Sequence, residues 1–133
     1  MVQRNFAGQG ENMIHASANA LVAIVAAVLA MIALVEMLFW NKPRVHQRLG
    51  FTDSEAKKVA PIVANAGLYN AFIAAGLALT LYLPGDNTAA TIFLLSCVVI
   101  AGIFGAITLK WTTLVLQTAP GLAALALVML ARG

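Results

Sequence analysis

Two stretches of this chain, Val59 to Pro84 and Thr88 to Leu109, contain no charged residue. Each is longer than the roughly 20 residues a helix needs to cross about 30 Å of hydrocarbon. A third apolar run, from Leu21 to Val35, reaches that length only when Glu36 is included. Charged residues make up 10% of the 133 positions and hydrophobic residues 62%, whereas soluble domains carry about 25% charge. The composition is that of a membrane protein.

Four spans follow, Ala18 to Trp40, Ala60 to Leu83, Ala89 to Leu109 and Thr112 to Ala131. Ala, Leu, Val and Ile fill them without the period-2 alternation of outer-membrane strands, and only a helix satisfies its own backbone groups in lipid within one segment. The sequence therefore predicts an all-α integral membrane four-helix bundle, one domain over residues 1–133. The longest polar connection, Asn41 to Val59, is too short to bury a core of its own. Where a signal-peptide cleavage motif would stand, Glu36, Met37 and Trp40 follow the first run, so it reads as a retained helix. The single Cys97 lies mid-span without a partner in the chain, and packing is its expected role.

Orientation is read from Lys and Arg in the short connections. Lys42, Arg44, Arg48, Lys57, Lys58 and Lys110 fall on one side, and Arg4 and Arg132 on the other. The first and third connections are thus expected in the cytoplasm and both termini outside it. The net charge of +3 is explained by this anchoring and by attraction to anionic headgroups. The lipid bilayer is the expected partner. No basic face interleaved with aromatics points to nucleic acid.

Small residues recur every four positions at Gly67, Ala71 and Ala75, and again at Ala101 with Gly105 and Gly102 with Ala106. This spacing lets helix backbones approach closely, and it predicts a tight contact between the second and third spans. Pro120 removes a backbone donor inside the fourth span and predicts a kink, where Gln117 and Thr118 could satisfy the freed carbonyls. Trp40 and Trp111 bracket the cytoplasmic interface as belt residues. His15 and His46 stand outside the spans, too isolated for a metal site. No metal or other cofactor is expected, and no nucleophile elbow, phosphate loop or paired-Cys motif occurs.

Polar side chains at membrane depth are costly and tend to mark function. Counted inward from the cytoplasmic ends, Glu36, Asn65 and Gln117 lie roughly 6 to 8 Å below the interface, at about 1.5 Å per residue. Tyr69 shares the helical face of Asn65 and extends the layer inward, while Asn70 is about 100° round the helix and faces another neighbour. Asn65, Gln117 and Lys110 are the expected partners of an inward-facing Glu36. Two readings of Glu36 stay open: an inward carboxylate, or one snorkelling toward Lys42 or Arg44. The asparagines can equally be interhelical glue.

The run Glu36-Met37-Leu38-Phe39-Trp40, Pro43-Arg44, Gly50-Phe51 and the block from Ala64 to Leu77 resemble the bacterial membrane family known as domain of unknown function 1304. Ile100 to Ala106, and Gln117 with Pro120, are similar to that family's third and fourth spans. The asparagine-glycine-tyrosine-asparagine block is the most specific part. The resemblance implies a short four-span inner-membrane protein of unestablished role. Ala66 stands where the family pattern has Gln, and Val28-Leu29 where it has Glu-His, so only Glu36, Asn65, Gly67, Tyr69, Asn70 and Gln117 carry over.

Three functions fit these residues. The first is binding or transport of a small amphiphile or cation in an intramembrane pocket of Glu36, Asn65, Tyr69, Asn70 and Gln117. The second is a structural or accessory subunit, as a homo-oligomer or within a larger membrane complex. The third is a membrane enzyme using Glu36 as acid or base on a lipid-like substrate, for which no second catalytic group is assigned.

Overall fold

A computed structural model describes residues 2–131, with side chains described from Gly8 onward. The described residues form an all-α bundle. Helix α1 spans Val2–Leu34 and runs into a π-helical segment, Val35–Phe39. A short α2 (Pro43–His46) and a 3-10 turn (Gln47–Leu49) lead to α3, Asp53–Tyr82. Helix α4 covers Thr88–Thr108, and a second π segment, Leu114–Thr118, feeds α5, Ala119–Leu130.

Three stretches are long and apolar enough to cross a membrane: Gly8–Phe39, Asp53–Tyr82 and Thr88–Thr108. The fourth, Leu114–Leu130, is shorter; at about 1.5 Å per residue it reaches roughly 26 Å, less than the hydrocarbon thickness. Large apolar side chains cover the outside of the bundle, Tyr82 and Ile107 among the most exposed. In water such a surface would aggregate. In lipid it costs nothing.

The core is one narrow seam. Val22, Val25 and Leu29 of α1 meet Ala74 and Leu77 of α3, Leu95 and Val98 of α4, and Ala124 and Val128 of α5. Helix α1 packs along both α3 and α5, and α4 lies against α5 and the second π segment. The small residues therefore serve other contacts than the expected one between the second and third spans. Gly67 lies against α1 and Gly102 against the second π segment, while α3 and α4 touch where Gly76 meets Leu94. A helix with small residues on several faces can be approached from each, and which approach forms depends on how all the helices fit together.

The second span also begins earlier than expected. Thr52 caps α3 in a reciprocal box, its Oγ1 accepting from Glu55 N at 3.3 Å while Thr52 N donates to the Glu55 carboxylate at 2.9 Å. This start, seven residues before Ala60, lets the connection fold onto the helix ends. Trp40, expected as a belt residue, is instead 4% exposed. Its indole N–H donates to Ala56 O at 2.9 Å and its ring meets Phe51 edge-on, with centroids 5.4 Å apart. Trp111 is exposed.

His46, which its sequence neighbourhood marks as isolated, is buried in the same cap, 2% exposed. Its Nδ1 lies 3.1 Å from Trp40 O, and its Nε2 2.9 Å from Asp53 Oδ1. Both partners are acceptors, so the ring satisfies both only as an imidazolium that donates from each nitrogen. The Asp53 hydrogen bond raises the His46 pKa above its ordinary value, with the Trp40 carbonyl assisting and burial opposing. The His46 hydrogen bond likewise holds the Asp53 carboxyl below the usual range.

The signs of these shifts set a pH window. Stability from His46 is full below the ordinary imidazole pKa and is lost as pH rises through the raised one. Stability from Asp53 is present above its ordinary pKa and is lost as pH falls through the lowered one. The thermal midpoint in detergent is expected to be highest between about pH 4 and pH 6.5 and to fall toward alkaline pH. Asp53→Asn should flatten the alkaline decline. A parent midpoint that stays level from neutral to alkaline pH would remove the clamp.

Candidate functional site

Glu36 follows Leu29 by seven residues and continues the buried stripe of α1 into the first π segment. On α3 the inward stripe is Gly67, Asn70, Ala74 and Leu77, spaced three, four and three apart as one helical face requires. The two stripes meet. Asn70 Nδ2 donates to Glu36 Oε2 at 2.9 Å, and both side chains are half-buried. Gly67 makes this approach possible, because a Cβ there would sit 2.8 Å from Met37 Cγ, 3.0 Å from Glu36 Cβ and 3.1 Å from Ala33 O.

The structure thus gives Glu36 a different partner from the one its depth suggested. Asn65 is exposed, and Tyr69 is 63% exposed. Asn65 precedes Gly67 by two residues, about 200° round the helix, so the two cannot face the same way. Depth below Ala60 points to Asn65, but α3 begins at Asp53 and its rotation brings Asn70 to Glu36. The alternation of Gly67, Asn70, Ala74 and Leu77 was the signal that would have found the right one.

Gln117 is half-buried in the second π segment, with its Cβ against Gly102. Among the described residues it makes no hydrogen bond with Glu36 or Asn70, the pair that bond each other. The backbone, rather than the side chains of Gln117 and Thr118, accommodates Pro120. Ala119 N bonds to Leu114 O, five residues back, and Pro120 then enters α5 near its first turn, where a missing donor is least costly. Thr118 Oγ1 is buried with no partner. It presses on Gly102, where a Cβ would also lie 3.0 Å from Thr118 N and 3.1 Å from Gln117 Cβ. Both π segments thus carry the polar residues singled out in the first and fourth spans, and such segments are frequent at functional sites.

Two open spaces flank these elements. A groove of about 580 Å³ runs along α1 and α3, floored by Ala27, Ala30, Ala71 and Ala75 and ending at Met37 on one side and Tyr82 on the other. Met37 and Ala71, which line the groove, directly follow Glu36 and Asn70 in the chain, while the bonded carboxylate and carboxamide themselves stand outside its lining. A smaller polar cavity of about 260 Å³ lies at the opposite end, among His15, Asn19, Asp86, Asn87, Thr88 and Thr91. His15 and Asn19 are one turn apart on α1, a pairing visible in the sequence but not picked out there. Among the described residues, no three His, Cys, Asp or Glu side chains gather as metal ligands would.

A family model described as protein of unknown function (DUF1304) matches residues 23–129. The chain belongs to this family. The match takes in both π segments, the Glu36–Asn70 pair and the alanine groove. Neither the curated proteins nor the solved structures contain a match to the chain.

The geometry separates the two asparagines energetically. Asn70→Leu strands a half-buried carboxylate and is expected to destabilise by about 1–3 kcal/mol. Asn65→Leu, on an exposed face, should stay within about 0.5 kcal/mol in detergent. Equal losses in denaturation midpoint would show that the pair is not what seats α3 on α1. At the second contact, Gly102→Ala should cost about 1–3 kcal/mol through overpacking. Adding Thr118→Ala, which deletes the crowded and unpartnered hydroxyl, should recover most of that loss. No recovery would mean that Thr118 N and Gln117 Cβ, not the hydroxyl, set the cost at Gly102.

Proposed function

We propose that this membrane protein binds a lipid-like amphiphile along the flank of α1 and α3. The apolar chain lies in the alanine groove, and a head bearing an ammonium or hydroxyl donor meets the Glu36 carboxylate. The observation that carries this reading is that Met37 and Ala71, which line the groove, are the chain neighbours of the bonded Glu36 and Asn70. Its volume falls within the range of about 300–1,000 Å³ common to small-molecule sites. Alanine side chains keep the floor smooth and shallow, which suits a flexible chain with no directional bonds of its own. Asn70 donates to one carboxylate oxygen and leaves the other for the ligand.

In this reading four helical segments span the bacterial inner membrane. The basic connection from Lys42 to Lys58 faces the cytoplasm, both termini lie outside, and the ligand enters from the bilayer near the inner leaflet. Binding is favoured over acid–base catalysis because the group facing Glu36 is a carboxamide, which does not titrate and supplies no second acid or base.

Thermal midpoints in detergent with a long-chain amine, compared with a carboxylic acid of the same chain length, test the proposal. The amine should raise the midpoint and the acid should not. Glu36→Gln should abolish the difference, and Ala30→Leu, which fills the groove from an exposed position, should weaken it. Amine stabilisation that persists in both variants would overturn the site.

A further inference from the structure

Around Asn65 and Tyr69, the first half of α3 presents a run of exposed side chains. Gly76 lies eleven residues after Asn65 and seven after Tyr69, so the three share one face. At Gly76 this face is an established helix contact, seated on Leu94 of α4. Toward the cytoplasmic end the same face is bare, with Ile62, Asn65, Tyr69 and Phe72 exposed. Ala101, seven residues after Leu94 on α4, is exposed as well.

A carboxamide turned toward acyl chains has two donors and an acceptor that hydrocarbon cannot satisfy. We propose that this face is a homodimer interface, on which Asn65 of one copy hydrogen-bonds Asn65 of a second. Copies inserted with the same topology pair about a two-fold axis along the membrane normal, so each residue near that axis meets its own equivalent at the same depth. A carboxamide is complementary to itself in that arrangement, donating and accepting reciprocally. Few other side chains are. Tyr69 and Phe72, already packed edge to face with centroids 6.2 Å apart, supply a rigid aromatic surface beside the pair. The groove between α1 and α3 lies on another flank, so dimerisation and amphiphile binding are separable.

The experiment measures association of the full chain in lipid bilayers without added amine, by energy transfer between labelled copies, with cysteine crosslinking in a Cys97→Ala background. Phe72→Cys should crosslink into a dimer, and Ile24→Cys, on an exposed position of α1, should not. Asn65→Leu should weaken association roughly tenfold, the loss expected for two reciprocal interhelical hydrogen bonds, while Asn65→Gln should restore most of it. The thermal midpoint in detergent should not change with either variant, which separates lost association from lost folding. A monomer at every density, an association indifferent to Asn65→Leu, or crosslinking through Ile24→Cys would each overturn the interface.

Discussion

The close approach of α1 and α3 at Gly67 is the contact on which the rest of the site depends. A hydrogen at this position instead of a methyl group lets Glu36, Met37 and Ala33 come within van der Waals range of the α3 backbone. At that separation Asn70 reaches the carboxylate, and the apolar seam of Val22, Val25 and Leu29 continues without a gap toward Leu77. Lipid tails compete with apolar side chains on equal terms, so a membrane bundle depends on close packing and interhelical hydrogen bonds more than on hydrophobic burial. Gly67 supplies the first and Glu36–Asn70 the second. Gly102 has the matching packing role against the second π segment.

The π segments explain how polar residues are carried in otherwise regular helices. In the second, Pro120 cannot donate, and the chain responds by widening one turn so that Ala119 bonds to Leu114. The widened turn brings Thr118 against Gly102 and leaves its hydroxyl unpartnered, a local cost borne by the packing around it. In the first, the widened turn ends at Trp40, whose burial under Phe51 and bond to Ala56 tie the end of α1 to the start of α3. The cap formed by Trp40, His46 and Asp53 therefore holds together, where α1 ends and α3 begins, the same two helices that Gly67 and Asn70 join farther along.

The bundle has an uneven perimeter. Helix α1 is covered on two sides by α3 and α5, whereas α3 and α4 meet near Gly76 and then expose the continuation of that contact. A groove floored by alanine on one flank of α3 and an uncovered asparagine on another give this helix two external surfaces of different chemistry. Both follow from the fact that a small bundle cannot enclose every face of a long helix.

The sequence by itself determined the membrane-type composition and the helical fold, because runs without charge and a lack of alternation are local properties that no packing can reverse. It also identified Gly67 as a small residue at a contact. Only the tertiary structure decided which helix that contact would meet, that Asn70 and not Asn65 would bond Glu36, and that Trp40 and His46 would be buried in a cap and not left at the surface. Those outcomes depend on the rotation of each helix about its own axis. A shift of two residues in sequence turns a side chain about 200°, and that rotation is settled by the fit of all the helices together.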